Sequence, residues 1–147
     1  MTPKMNISVK VQGLERLHRT LLALRPEARK AAAAELYRCG ETILERSLRV
    51  CPLRTGALRS TGMVALPEEH ACSITVMVGY GGVASKTGQP VNYAYYVHEN
   101  MDPGVHWSTP GTGPKYLERP ALEFAPQIGP RVAKAIESAW RTLLGRR

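Results

Sequence analysis

His98-Glu99 is the pair in this sequence whose types most readily suggest chemistry. In a zinc hydrolase, H-E-x-x-H on a helix places two imidazoles one turn apart as ligands, with the glutamate as general base. Here the second ligand position is Asp102, followed at once by Pro103 and Gly104, so both that ligand and its helix are missing. A hydrolase built on His98, Glu99 and His106 would lack a defined third ligand. Serine catalysis fares no better, because no serine lies in G-x-S-x-G and Thr55-Gly56 has no base beside it. The stretch G-Y-G-G-V-A-S-K-T-G at 79–88 matches a phosphate loop only in composition, without the G-K-[ST] ending. These residues predict no enzyme, no metal and no cofactor. Tyr93, Tyr95 and Tyr96 could stack on single-stranded bases, but their neighbourhood is net acidic, and such a run also serves core and interface packing.

The segment Cys51-Pro52-Leu53-Arg54-Thr55-Gly56-Ala57-Leu58-Arg59-Ser60 is the one least explained by packing within a single domain. Physically it is a helix stop, a glycine turn and a strand start, with two arginines at the junction.

The flanking elements must position these residues. Ile7, Val9 and Val11 alternate with polar residues, predicting a short strand ended by Gly13. Leu14, Leu17, Leu21 and Leu24 predict a short helix interrupted by Pro26. Pro26 then suits the first position of a second helix running to about Val50, with Ala28, Ala32, Leu36, Cys39, Ile43 and Val50 on one stripe. Arg38, Glu41, Glu45 and Arg49 line another face as helix-surface ion pairs. Leu58–Leu66 and Ala71–Tyr80 predict an antiparallel hairpin turning at residues 67–70. Tyr93–Val97 predicts a third strand. Two glycine- and proline-bearing stretches, 81–92 and 100–114, predict flexible loops. Leu117, Ala121, Ala125, Ile128, Val132, Ile136, Ala139 and Leu143 predict a last helix, kinked or split by Pro126 and Pro130 and capped by Gly145.

With 147 residues, the chain is one domain spanning 1–147. Its composition, 44% hydrophobic and 22% charged, excludes a disordered chain, a collagen-like repeat and a coiled-coil rod. Three cysteines without C-x-x-C spacing read as small core residues in a reducing compartment. No run of 18 apolar residues and no signal-peptide pattern occurs, which predicts a soluble chain made in a cytoplasm. The net charge of +8 divides into basic ends (1–60 and 131–147) and an acidic middle (61–130). Basic residues are dispersed rather than in runs. That suits a molecule docking on copies of itself, while a small basic nucleic-acid-binding protein is the alternative.

A long helix ending in P-x-x-T-G-x-L-R-x-S (Pro52, Thr55, Gly56, Leu58, Arg59, Ser60) and followed by a hairpin resembles the tail-component family of long-tailed bacteriophages, the neck or tail-completion proteins. Tyr93-Ala94-Tyr95-Tyr96-Val97-His98-Glu99 is similar to that family's Y-A-x-x-V segment. Lys115-Tyr116-Leu117-Glu118-Arg119-Pro120-Ala121-Leu122 is similar to its closing K-F-L-x-x-A-L element. The resemblance covers residues 14–140 in order and spacing, with the stretches at 81–92 and 100–114 longer than in many relatives.

The resemblance implies an α+β subunit, its long N-terminal helix and C-terminal helix packed on a small antiparallel sheet. It further implies a structural protein of the virion, assembled in the host cytoplasm. Copies would form a ring, six being expected, at the head-to-tail junction or top of the tail tube. Its partners would be connector, neck and tail-tube or tail-terminator proteins, with DNA passing through the lumen unread and no membrane involved. Heterologous ring contacts join unlike patches, so Arg54 and Arg59 are expected to pair with a neighbour's Glu68, Glu69, Glu99 or Asp102. Pro52, Thr55, Gly56, Tyr93, Tyr96, His98 and Lys115 complete the candidate interface. Replacing both arginines by glutamate should abolish assembly and leave the monomer folded.

Overall fold

Pro26 opens the first long helix, α1 (Pro26–Val50), where its missing N–H costs no hydrogen bond, and Glu27 complements the positive helix end. The computed structural model describes residues 7–10, 26–71 and 73–145. The helix expected over Leu14–Leu24, and Cys72, lie outside them.

The expected stripe of α1 is buried from Ala28 through Ile43, and Glu35, Gly40 and Ser47 join it. Strand β1 (Ile7–Lys10) is followed, after α1, by a 3-10 turn (Arg59–Thr61) and by β2 (Met63–Val64), β3 (Glu68–His70), β4 (Ser73–Thr75) and β5 (Met77–Tyr80). Next come β6 (Gly82–Val83), β7 (Pro90–Val91), the short helix α2 (Ala94–Glu99) and the long helix α3 (Glu118–Leu144). The fold is α+β. The main sheet has β5 at its centre, antiparallel to β1 (Ile7 opposite Tyr80, Lys10 opposite Met77) and to β2 (Met63 opposite Gly79, Val64 opposite Val78).

Four expectations change. Tyr93–Val97 is not a strand: Ala94 and His98, four residues apart, are buried while Tyr93, Tyr95 and Tyr96 are exposed, which is a helical face. The third sheet strand is the N-terminal β1 instead. The hairpin reverses after His70, because residues 68–70 continue as β3 and pair with β4. Leu58–Leu66 begins as a 3-10 turn, since the Ser60 and Thr61 hydroxyls donate back to the Ala57 and Leu58 carbonyls (both 2.7 Å) and compete with extended backbone. The stretch at 81–92 is a small β6–β7 hairpin closed by Ala84 N–H to Gln89 O at 2.9 Å.

Helix α3 continues through Pro126 and Pro130 without being split. Each proline removes a hydrogen bond to the carbonyl four residues earlier, at Leu122 and Pro126, and all these positions are exposed, so water can satisfy the freed carbonyls. Gly145 takes the C-cap position, its N–H on Arg141 O at 3.0 Å.

Helix α3 packs along α1, and Phe124, Ile128 and Val132 join Leu36, Cys39 and Ile43 in one core with Val76 and Val78 of the β4–β5 segment. Across the helix pair, buried Glu35 receives Arg131 Nε at 2.7 Å, and from its own helix Arg38 Nη1 at 3.2 Å. On the sheet side, Gly40 sits where α1 comes closest. A Cβ there would lie 2.8 Å from Val64 Cγ1 and 3.1 Å from Val76 Cγ1, and valine side chains have little rotamer freedom to yield. Gly40→Ala should therefore destabilise by about 1–2 kcal/mol, overpacking outweighing the roughly 1 kcal/mol gain in helix propensity. In urea unfolding this reads as a lower midpoint at unchanged slope.

Candidate functional site

Helix α1 ends because Pro52 cannot continue its ladder, leaving terminal carbonyls to be satisfied from elsewhere. Arg59 satisfies one of them, its Nε and Nη2 both donating to Cys51 O at 2.9 and 2.7 Å and placing a cation at the negative helix end. Gly113 N–H takes Val50 O at 3.1 Å. Between them the chain turns at Gly56, whose φ of +82° favours glycine, while Thr55 Oγ1 accepts the Ala57 N–H at 3.3 Å. Much of P-x-x-T-G-x-L-R-x-S is thus a helix terminator. Arg59 is committed inside the chain, so its replacement by glutamate would break the cap and the monomer would not be left intact. Arg54 is exposed and has no polar partner among the described residues.

The other two motifs interlock. His98 is only 2% exposed, yet both ring nitrogens are used. Its Nε2 accepts the Glu118 N–H at 3.2 Å, capping α3 from outside, so Nε2 carries no proton and Nδ1 donates to Glu99 Oε1 at 2.7 Å. Lys115, at φ 56°, bridges Glu99 (2.6 Å) and Glu118 (2.9 Å), and its N–H donates to His98 O at 2.7 Å. Tyr116 is fully buried, donates its hydroxyl to Ala94 O at 2.9 Å, and meets the Tyr80 and His98 rings edge-on, each at 5.0 Å.

Against this cluster lies a groove of about 790 Å³. Pro52, Leu53, Arg54, Thr55, Gly56 and Leu58 form one wall; Tyr93, Tyr96 and Val97 of the α2 segment and Val105, His106, Trp107 and Ser108 form the rest. Ser108 Oγ donates to Leu53 O at 2.6 Å and ties the loop to the first wall. Among the described residues the lining contains no carboxylate, and Tyr96 remains 69% exposed.

Of the expected interface residues, Pro52, Arg54, Thr55, Gly56, Tyr93 and Tyr96 line this groove, with Arg59 bound to Cys51 O in the cap at the end of α1 and His98, Glu99 and Lys115 beside it. Asp102 lies in a turn of the same loop region, its Oδ1 accepting the Gly104 N–H at 2.8 Å. Glu68 and Glu69 are elsewhere, on β3, where Glu69 faces Arg29 at 3.7 Å. Sequence reasoning missed Leu53, His106 and Trp107 as lining. The legible signal was an aromatic residue inside a proline- and glycine-rich segment that packing of regular elements does not require.

His98, Glu99 and Glu118 bring ligand-type atoms within 4.8 Å of one another. The His98 lone pair is already given to a backbone N–H, and Lys115 bridges both carboxylates, so this donor set is an internal ion-pair network. The same bonds leave His98 no free nitrogen for proton transfer. Burial pushes the Cys51 thiol up to about 12, with Arg59 only partly opposing it, so no thiolate nucleophile forms near neutrality.

No family model, curated protein or solved structure matches this chain.

Hydrogen bonds from Lys115 and then His98 hold the Glu99 carboxyl below its ordinary 4.5, and those to Glu118 and Glu99 raise Lys115 to about 12. A lowered acid stabilises above its unfolded value and loses that contribution as pH falls through the folded one. The stability gap between the wild type and Glu99→Gln should thus be constant near neutrality and close as pH drops below 4.5 in denaturant titrations. Loss of the Lys115 contribution should appear only as pH rises from 10.5 towards 12. Cys39 and Cys51 should resist alkylation at mildly alkaline pH in the folded chain and react once unfolded, as mapped by mass spectrometry.

Proposed function

We propose that this chain is a structural subunit of the head-to-tail junction of a long-tailed bacteriophage, of the neck or tail-completion type. Copies form a closed ring that joins capsid to tail and surrounds the DNA channel. The carrying observation is that the three stretches of the resemblance, far apart in sequence, meet at the C-terminal end of α1. The Lys115 N–H on His98 O and the Tyr116 hydroxyl on Ala94 O join the second and third, Gly113 N–H ties the approach to the third to Val50 O at the end of α1, and Tyr93 and Tyr96 line one groove with the first.

What these motifs leave outside is an aromatic groove, while their reactive-looking groups are committed to internal bonds. That pattern supports docking on protein rather than turnover of a substrate. Its partners on this reading are further copies of itself and the connector and tail-tube or tail-terminator proteins, with DNA passing unread through the lumen. Among the described residues no helix is long and apolar enough to cross a membrane.

A second reading has its own support: Arg54, His106, Tyr93, Tyr96 and Trp107 in a groove without carboxylates are a combination that also suits single-stranded nucleic acid. Light scattering over a range of protein concentrations and salt separates the two. Discrete particles of a fixed multiple of 16.2 kDa, seen as closed rings by negative-stain microscopy, are expected for the junction subunit. A single copy that binds DNA with affinity falling steeply with salt would replace that reading by the nucleic-acid one.

A further inference from the structure

Two exposed features of opposite charge lie at opposite ends of α1. Beyond its C-terminal end is the groove, with Leu53, Tyr93, Tyr96 and Trp107 as apolar lining and Arg54 and His106 as its basic groups. At its N-terminal end is the tip of the β3–β4 hairpin. Arg29, in the first turns of α1, donates from Nη2 to His70 O at 2.7 Å and from Nη1 to Ala71 O at 3.1 Å, and so pins this tip to the helix. The pinned arm displays Leu66, which at 76% is the most exposed large apolar side chain among the described residues. It also displays Glu68, which is exposed and has no polar partner among them.

From Arg29 to the end of α1 the helix rises roughly 30 Å, so tip and groove of one copy cannot meet. Such a pair of unlike, complementary patches at opposite ends makes a head-to-tail contact, which closes into a ring when the rotation between copies allows.

We propose that the arm at 66–71 of one copy seats in the groove of the next, Leu66 among the groove's aromatic side chains and Glu68 on Arg54. This rests on reading the chain as an assembling subunit and names the contact that would build the ring. Charge selects this occupant. Of the other exposed apolar side chains away from the groove, Trp140 and Leu144 lie on the final stretch of α3, which is basic like the groove itself, whereas Leu66 is followed at 68 and 69 by two glutamates. A nucleic-acid strand would need a longer track of cations than Arg54 and Lys86, whose Nζ lies beside Gly56.

The test is sedimentation velocity on the full chain, comparing wild type, Arg54→Glu, Glu68→Arg, the double variant and a one-to-one mixture of the two single variants. Thermal melts check folding, and both positions are exposed with no polar partner among the described residues. Self-association of the wild type is expected, with each single variant weakened roughly a hundredfold by like charges brought together. The double variant and the mixture should both assemble again, because every interface in them pairs opposite charges.

Single variants that assemble like the wild type, or a double variant that stays dissociated, would overturn the docking and leave a ring built on other contacts. A wild type that remains a single copy at all concentrations would also overturn it, while leaving a ring formed only on a capsid or tail surface. A single-stranded oligonucleotide that binds the wild type and is lost in Arg54→Glu would assign the groove to nucleic acid and overturn both.

Discussion

Three buried rings hold the parts of this molecule in place. Tyr80 comes from the central strand, Tyr116 from the entry to α3 and His98 from α2, stacked edge to face at 5.0 Å steps. Each also carries a polar atom that burial forbids leaving unpaired. The Tyr80 hydroxyl meets Ser47 of α1 at 2.8 Å, Tyr116 donates to Ala94 O, and His98 caps Glu118. Sheet, α1, α2 and α3 are thereby fixed by contacts that each tolerate only one geometry. Among the described residues no buried side-chain polar atom lacks a partner. Burial raises the pKa of both tyrosine hydroxyls, so they stay neutral donors across any ordinary pH.

The second constraint is the seam between α1 and α3. Phe124 is buried there with Arg46 at 4.9 Å and Arg131 at 5.5 Å from its ring centre, and Arg131 also reaches Glu35. One guanidinium thus serves a ring face and a buried carboxylate together, which its flat, delocalised shape permits and an ammonium would do poorly. Several basic residues are therefore structural, and the net charge of +8 overstates what is offered to a polyanion.

These two constraints separate what is rigid from what is presented. The cap at Cys51, the Lys115 network and the pinned hairpin are tied by charge-assisted bonds, which are stronger and more directional than neutral ones. The groove and Leu66 protrude from that frame as apolar surface paid for by the core. Contiguous apolar surface left outside, as in the groove and unlike a single side chain, is what marks surfaces that meet a partner.

The sequence by itself determined the elements that rest on long periodicity. Twenty-five residues of α1 and 27 of α3 carry enough repeats to identify their buried faces, and proline and glycine marked most of their ends. It also determined which short motifs deserved notice. Only the tertiary structure decided what those motifs do. A five-residue run such as Tyr93–Val97 is too short to distinguish helix from strand by period, and the burial of Ala94 and His98 by Tyr116 made it a helix. Arg54 and Arg59 look alike in sequence, yet one is exposed and the other closes α1 on a carbonyl eight residues back. Trp107 lines the groove next to Ser108, which bonds to Leu53, 55 residues away. Local propensity acts within a few residues, whereas partners for buried polar atoms are chosen across the whole chain, so roles of this kind are written in the fold and not in the spacing.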